Sequence, residues 1–464
     1  MKKGIFSIAM ANVICMALGL ITNFLLPKHL SVDSYAMLKT YSLYMNYAGF
    51  FALGYSDSVY LKYGGKKLGD LNTGNLSNNF YNYSLMIATE AILAFIGGVI
   101  LKNNILTAFS LGMFAYNIMG YLKILLQATG EFSTYARALN IEKIVIFIIN
   151  VAMIFAFKVD SYLWYVLAQI ATGFLVTICF VFIIQKSTGL IQKSKFCVQV
   201  IVSNIKDGYV LMLGNFSSGI FTGIDRWFVK FLLNSKAFAV YSFAVSTENI
   251  INVFVSPITV SMYNWFCKSP NNDRVKFIKR VVMIWGFIII GGMFFIKFII
   301  KYYLPQYMDA CEIIIYLLGA QVFYLIVKGI YVNIYKSNKQ QNRYFLQLLA
   351  MTVVALILNT VFFLINNNIR SIAFATYCTS IIWLIVCEIK NCQIAFGIKD
   401  WIFIIIGGIT YIYAGFYFSP VWGIIAYYSI ILILTIVIER DCFIYGINNI
   451  RSLKESLLKN VVRK

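Results

Sequence analysis

The chain has 464 residues, of which 60% are hydrophobic, 17% aromatic and only 12% charged. This composition lies outside the range of soluble domains and indicates a polytopic membrane protein. Because one span with its loop takes about 30 to 35 residues, the length holds on the order of 14 spans and excludes a large soluble domain.

Apolar runs between polar segments predict the spans in chain order. The first run follows Lys2 and Lys3 but continues to Leu26 without a small-residue cleavage site, so we interpret it as an uncleaved span. The first six spans are predicted at 5–26, 36–60, 80–101, 105–127, 138–157 and 162–184. Six more are predicted at 208–232, 237–266, 277–300, 311–335, 344–365 and 371–388, and two last ones at 401–418 and 421–438.

The two sets of six spans show a weak internal repeat. An ungapped shift of 203 residues superposes the first two spans on the seventh and eighth and aligns Asn12 with Asn215. Both sets are entered from the same side, so they would be parallel repeats. We predict an all-α polytopic membrane protein of about 14 transmembrane helices. Its predicted parts are two six-helix lobes at 1–190 and 191–395, two additional transmembrane helices at 396–438, and a cytoplasmic amphipathic tail at 439–464.

The distribution of Lys and Arg predicts the orientation. With the N-terminus inside, the inner segments hold 26 of these residues and the outer segments hold seven. Positively charged loops stay cytoplasmic, so both termini are predicted to be cytoplasmic. The net charge of +21 is then mostly this bias, together with attraction to anionic lipid, and does not imply nucleic acid. The tail would lie on the inner leaflet, with docking of a partner as the alternative.

The nine cysteines are scattered through apolar runs, and the single histidine, His29, has no neighbours with metal-ligand spacing. We interpret the cysteines as inert small hydrophobic residues. The pattern argues against a metalloenzyme or a histidine-based acid–base mechanism, and it predicts no metal and no cofactor.

The seventh span carries three charged residues, Asp225, Arg226 and Lys230. Ionisable side chains within a span are costly unless they face protein or water, so they are functional candidates. Lys230 lies one turn beyond Arg226 on the same face. Snorkelling to the outer surface explains Lys230 equally well, and an ion pair with a neighbouring helix explains Arg226.

Four carboxylates are predicted to couple transport to ions. Glu90 lies in the middle of the third span and Glu248 near the middle of the eighth, where a carboxyl must pair with a cation or take up a proton. Asp57, at the inner end of the second span, and Asp225 complete the set. A structural hydrogen bond between helices is the alternative for Glu90 and Glu248. Pro257, beyond Glu248, predicts a kink in the eighth span.

The remaining charged candidates are basic residues within spans and a cluster where the fourth and fifth spans meet the cytoplasm. A lumen lined by cations would favour an anionic ligand such as a pyrophosphate. The predicted substrate-binding residues are Arg226, Lys230, Lys39, Lys123 and Lys328. The predicted inner gate consists of Arg137, Glu142 and Lys143, for which ordinary interface anchoring is the alternative.

Four stretches carry a family resemblance. They are Asn215, Asp225-Arg226 and Tyr241-Ser242-Phe243-Ala244 within 214–251, GYSDSVYLKYGGKKLGD at 54–70, YYLPQYMDACE at 302–312 and LILNTVFFLI at 356–365. In order, spacing and topology the chain resembles the polysaccharide flippases of the multidrug/oligosaccharidyl-lipid/polysaccharide exporter (MOP) superfamily.

The resemblance implies a non-enzymatic flippase of the bacterial inner membrane. Its substrate would be an undecaprenyl-pyrophosphate-linked oligosaccharide, the repeat unit of an O-antigen, capsule or exopolysaccharide. Cation counterflow would drive alternating access, with membrane lipids, a polysaccharide polymerase and a chain-length regulator as partners. One alternative is a polytopic glycosyltransferase, polymerase or ligase, although such enzymes need sizeable outer loops and these are short here. The other is an exporter of the same fold that carries drugs or the peptidoglycan lipid precursor.

Overall fold

A computed structural model describes residues 2–268, 270–445 and 448, without the side chains of residues 2–12, 187, 251–261, 264 and 341. The predicted amphipathic tail lies outside the described residues from 449 onward. The side chain of Pro257 is also outside them, so the predicted kink stays a prediction.

The described residues form helices joined by short connections and contain no strand. The helices are α1 (Lys2–His29), α2 (Val32–Met45), α3 (Tyr55–Tyr63), α4 (Thr73–Ile100), α5 (Asn104–Ala128), α6 (Phe132–Phe155), α7 (Tyr162–Thr188), α8 (Val198–Leu232), α9 (Ser235–Phe266), α10 (Asn272–Ile290), α11 (Gly292–Tyr303), α12 (Ala310–Ile326), α13 (Val332–Ser337), α14 (Gln341–Ile365), α15 (Ile369–Lys390), α16 (Ile398–Tyr417) and α17 (Pro420–Ile438). Short 3₁₀ segments lie at Ala48–Ala52, Leu68–Asp70, Pro305–Tyr307 and Cys392–Ile394, and a π-helical segment at Val327–Tyr331. The predicted all-α class is confirmed.

Among the described residues, ten helical stretches are long and apolar enough to cross a membrane. They are Thr73–Ile100, Asn104–Ala128, Phe132–Phe155, Tyr162–Lys186, Asn272–Tyr303, Ala310–Ser337, Asn342–Ile365, Ile369–Lys390, Ile398–Tyr417 and Pro420–Ile438. A shorter apolar helix covers Val13–His29. The polytopic architecture is therefore established, whereas the count of 14 stays a prediction.

The second predicted span is broken, although its sequence is apolar from 47 to 55. Helix α2 ends at Met45, a 3₁₀ segment follows, and α3 begins only at Tyr55. Leu53 and Gly54 have φ angles of 47° and 86°, in the left-handed region that ends a helix. The prediction of one helix over 36–60 is wrong at this point. The break places Ser56 and Asp57 in the first turn of a new helix.

A side chain of α5 donates a hydrogen bond to the backbone at this break. Asn117 Nδ2 donates a hydrogen bond to the carbonyl oxygen of Ala48 at 2.9 Å, and the Tyr83 hydroxyl donates to the carbonyl oxygen of Asn117 at 3.1 Å. Backbone polar groups inside a bilayer need such partners because no water is available. The buried rings of Tyr55, Tyr83 and Tyr121 pack beside the break.

The chain divides into two compact units. The N-terminal unit contains Met1–Gly223 and Asn234–Ser242, and the C-terminal unit contains Ile224–Leu233 and Phe243–Lys464. The lobes and additional helices predicted at 1–190, 191–395 and 396–438 follow from the span count and stay a prediction.

Helix α12 is the centre of the C-terminal unit and is almost wholly buried. Helices α10, α15 and α16 pack against it. Beside it, the Lys279 ammonium lies 3.0 Å from both carboxylate oxygens of Glu388, with side-chain exposures of 0% and 6%. This buried ion pair joins α10 to α15.

Candidate functional site

A polar cavity of about 510 Å³ lies within the N-terminal unit. It is bordered by the broken second span and by α5, α6, α7 and α8. Its polar lining residues include Ser42, Asn46, Ser56, Asp57, Asn117, Lys123, Glu142, Lys143, Gln169 and Asn215. We call this space the main cavity. Amides, hydroxyls and both signs of charge inside an apolar helix bundle are typical of a ligand site.

Helices α5 and α6 bring three predicted residues to the main cavity. Lys123 Nζ on α5 lies 2.7 Å from Glu142 Oε2 on α6, with side-chain exposures of 21% and 23%. Lys143 follows directly and lines the same space. Arg137, the other predicted gate residue, is exposed and donates to Thr134 Oγ1 at 3.2 Å. Whether the group gates the cavity stays a prediction.

Asp57 reaches the main cavity because the second span is broken. It occupies the first turn of α3, where free backbone N–H groups and the helix dipole favour a negative charge. Asn215 Nδ2 on α8 donates to Asp57 Oδ1 at 3.5 Å. Sequence analysis selected both residues separately, and the fold brings them together.

A second cavity of about 220 Å³ adjoins the main cavity within the N-terminal unit. It is enclosed by α1, α2, α6 and α7, and we call it the side pocket. Its polar lining residues are Thr22, Asn23, Tyr35, Lys39, Ser42, Lys143, Asn150 and Gln169. Ser42, Lys143, Ile146 and Gln169 line both spaces. Of the predicted substrate-binding residues, Lys39 lies here.

Two asparagines of the side pocket were missed by sequence analysis. Asn23 and Asn150 are 9% and 2% exposed, on α1 and α6. Among the described residues, Asn23 Nδ2 and Asn150 Oδ1 have no hydrogen-bond partner. The available signal was an uncharged amide in the middle of an apolar run, which is weaker than a charge.

Four further predicted residues form a cluster in the C-terminal unit. Gln321 on α12 donates from Nε2 to Glu248 Oε1 on α9. Asp225, Arg226 and Lys328 supply the charges acting on Glu248. Asp225 is 6% exposed, and its Oδ1 accepts from the backbone N–H of Arg226 at 2.8 Å. We call these residues the charged cluster.

A local change of helix type places Lys328 in the charged cluster. The segment Val327–Tyr331 is π-helical and joins α12 to α13. Lys328 Nζ lies 5.3 Å from the ring centroid of Tyr324. Such wide turns inside α-helices are often found at functional sites. The sequence predicted only a continuous span here.

Two further predicted residues line neither cavity. Glu90 on α4 has a buried Oε2 without a hydrogen-bond partner among the described residues. Lys230 lies one turn beyond Arg226 and is partly buried. The roles assigned to both stay predictions.

Comparison with known proteins supplies independent support for the family. The model of the family described as polysaccharide biosynthesis protein matches residues 82–269. No curated protein sequence matches the chain.

Solved structures give the fold. The chain is similar to the lipid II flippase MurJ in an inward closed conformation, with a TM-score of 0.71 and 18% identity over 94% of this chain and 99% of that one. It is also similar to an inward-facing multidrug resistance MATE family transporter of the MOP superfamily, with a TM-score of 0.59 and 10% identity over 82% and 97% of the two chains. The chain therefore has the fold of these two transporters, as the resemblance drawn from the sequence implied, and its segment 82–269 matches the polysaccharide biosynthesis family.

Proposed function

We propose that this protein is a flippase for undecaprenyl-pyrophosphate-linked oligosaccharides. It moves the repeat unit of a surface polysaccharide, such as an O-antigen or a capsule, from the inner to the outer leaflet of the bacterial inner membrane. Both termini are cytoplasmic in this proposal. Alternating access is coupled to a cation, and no catalytic residue takes part.

The main cavity is the observation that carries this proposal. An oligosaccharide head group presents many hydroxyls and an anionic pyrophosphate, which cannot cross hydrocarbon without a polar path. The amides of Asn46 and Gln169 suit hydroxyls, and the ammonium group of Lys123 suits the pyrophosphate. The lipid tail needs no such path because it stays in the bilayer.

Transport by the purified protein in liposomes tests the proposal. The probe is undecaprenyl-pyrophosphate carrying a fluorescent-labelled trisaccharide, and the readout is its accessibility to a membrane-impermeant quencher. We expect movement between the leaflets well above that in protein-free liposomes. A rate equal to that of protein-free liposomes would refute the proposal.

A second candidate substrate is the peptidoglycan lipid precursor, favoured by the extent of the structural similarity to the lipid II flippase. Fluorescent lipid II in the same liposomes distinguishes the two. We expect lipid II to move more slowly than the polysaccharide precursor. Faster movement of lipid II would assign the protein to that substrate instead.

Arg226 is expected to contribute more to transport than its neighbour Lys230. We expect Arg226→Ala to lower the flipping rate about tenfold or more, since charge-assisted hydrogen bonds contribute roughly 1.5 to 3 kcal/mol. Arg226→Lys should recover part of the rate, because lysine keeps the charge but not the paired donors. Lys230→Met should have a smaller effect, because Lys230 lies one turn nearer the outer surface and its side chain can snorkel there.

Protein abundance in the membrane distinguishes transport from folding for Arg226. If the residue only holds the fold through an ion pair, the alanine variant should be lost from the membrane. Normal abundance together with an unchanged flipping rate in Arg226→Ala would contradict any role in transport.

Glu248 is the carboxyl that we propose to carry the coupling proton. Glu248→Gln keeps the shape and can still bond to Gln321, but it removes the titration. We expect flipping by this variant to lose its dependence on an imposed pH gradient while the protein stays folded. Glu90→Gln is the parallel test of the other predicted carboxyl. Full gradient dependence in both variants would leave only the packing role for these residues.

Reporter fusions test the proposed orientation. Fusions after Lys195 and Lys339 are expected to report cytoplasm, and those after Asp160 and Asn367 the outside. The reason is the excess of Lys and Arg in the inner segments, 26 against seven. A cytoplasmic signal at Asn367 would contradict the span count.

A further inference from the structure

The charged residues described as lining the side pocket are both lysines. Lys39 on α2 and Lys143 on α6 both line it, and no carboxylate is found among the described residues that line it. Glu142, next to Lys143 in sequence, lines the main cavity instead and is paired with Lys123 at 2.7 Å. Of the described residues, those of the main cavity carry both signs of charge, whereas the charged residues of the side pocket are two lysines. A pocket of this kind favours a negatively charged ligand group.

The two buried asparagines add a requirement for hydroxyl groups. Among the described residues, Asn23 Nδ2 is a donor without an acceptor and Asn150 Oδ1 is an acceptor without a donor. Both line the side pocket and both are more than nine-tenths buried. Buried polar groups without partners are costly, so a ligand that satisfies them gains affinity.

Together these features distinguish a sugar from a bare phosphate. A sugar hydroxyl both donates and accepts, so it can satisfy Asn23 and Asn150 at once. A fully ionised phosphate group, such as the pyrophosphate that links lipid and sugar, only accepts, and the oxygen of Asn150 would repel it. Two ammonium groups that line one pocket nevertheless favour a ligand with an anionic group. An acidic sugar meets both requirements, because it carries hydroxyls and a carboxylate or phosphate on one ring.

We propose that the side pocket is a subsite for one acidic sugar of the oligosaccharide. Lys39 and Lys143 bind the anionic substituent, and Asn23 and Asn150 bind ring hydroxyls. This inference rests on the proposed function and deepens it, because it names the substrate class as an acidic repeat unit. The sugar enters from the main cavity past Ser42 and Gln169, which line both spaces.

A pair of lipid-linked probes tests the selectivity. Both are undecaprenyl-pyrophosphate disaccharides, one ending in glucuronic acid and the other in glucose. In liposomes, the wild-type protein is expected to flip the acidic probe about tenfold faster. The double variant Lys39→Met/Lys143→Met should lose this preference, because it slows the acidic probe more than the neutral one. An equal loss for both probes would overturn the subsite, because it would assign the lysines to the pyrophosphate that the probes share.

Binding of free sugars tests the subsite without any transport. Saturation-transfer NMR with the full chain in nanodiscs should detect methyl glucuronide but not methyl glucoside, and added inorganic phosphate should not displace the glucuronide. Asn150→Leu should reduce the glucuronide signal severalfold. Lys186→Met is the matched control, since it removes an exposed cation of the same helix bundle outside both cavities.

The two tests can refute the transport function and the subsite independently of each other. If the wild type flips neither lipid probe but binds glucuronide, the proposed transport function is wrong and the subsite stands. If it flips both probes equally and binds no glucuronide, the transport function stands and the subsite is wrong.

Discussion

Replacing Gly208 with alanine is expected to cause the largest loss of folded protein of any single methyl addition in the N-terminal unit. A Cβ at this position of α8 would lie 1.9 Å from the carbonyl oxygen of Gly54 and 2.7 Å from the backbone nitrogen of Ser58. Both obstacles are backbone atoms, so no side-chain rotation relieves the clash. We expect a cost above the roughly 1 to 3 kcal/mol that is usual for overpacking.

The same contact restricts Gly54, which also has the positive φ angle. A Cβ on Gly54 would lie 2.8 Å from the carbonyl carbon of Gly208. Gly54→Ala therefore combines the clash with a left-handed backbone, which costs roughly 1 to 2 kcal/mol alone. We expect both variants to show low abundance in the membrane and early unfolding in detergent.

Two other glycines supply matched controls. Gly214 lies on the same helix as Gly208, and a Cβ there would meet nothing within 4 Å. Gly65 has a φ angle of 80° like Gly54 but also has open space around it. Gly214→Ala should be close to neutral, and Gly65→Ala should show the backbone cost only. If Gly208→Ala unfolded like Gly214→Ala, the close crossing of α8 over the broken span would be wrong.

This crossing explains why the break in the second span could not be predicted. The residues from 46 to 54 are apolar apart from Asn46, so periodicity and hydropathy continue through the break. What ends the helix is tertiary. Gly54 approaches Gly208, more than 150 residues later in the chain. Asn117 on α5 donates a hydrogen bond to the carbonyl oxygen of Ala48. A local sequence pattern contains neither contact. The π-helical segment around Lys328 could not be predicted from a local pattern either.

The charged residues of the candidate sites were easier to select than to group. A charge inside a span is costly whatever the fold, so Asp57, Lys123, Arg226 and Glu248 stood out in the sequence. Lys123 and Glu142 could also be grouped, because their helices are consecutive in the chain. The contact of Asp57 with Asn215 crosses 158 residues and depends on the break.

Uncharged amides were the residues that sequence analysis missed. Asn23, Asn150 and Gln321 lie within apolar helices, where an amide is as often a helix-packing group as a ligand group. Only their surroundings decide. Asn23 and Asn150 line a pocket with two cations, whereas Gln321 donates to a carboxylate. The side pocket could not be predicted from the sequence, because it forms only where α1, α2, α6 and α7 pack together.

Glu388→Ala is expected to destabilise the C-terminal unit by about 3 to 5 kcal/mol, because it leaves the buried ammonium group of Lys279 without its carboxylate partner. Lys279 Nζ also donates to the Tyr331 hydroxyl at 3.0 Å and to the carbonyl oxygen of Ile394 at 2.5 Å. It lies 3.7 Å from the ring centroid of Phe396. Glu388 accepts in addition from the Tyr331 hydroxyl at 2.6 Å and from the backbone N–H of Phe396 at 2.7 Å. Its removal therefore leaves three donors buried at once.

The double variant Lys279→Met/Glu388→Gln separates the ion pair from the hydrogen bonds. Glutamine can still accept from Tyr331 and from the backbone of Phe396, and methionine fills the space of the lysine without a charge. We expect this variant to melt in detergent closer to the wild type than Glu388→Ala does. Glu312→Ala is the control, since the Arg370–Glu312 pair is 56% and 29% exposed and such pairs contribute about 0 to 1 kcal/mol. If Glu388→Ala melted like Glu312→Ala, the ammonium of Lys279 would have to reach water, and the pair would not join α10 to α15.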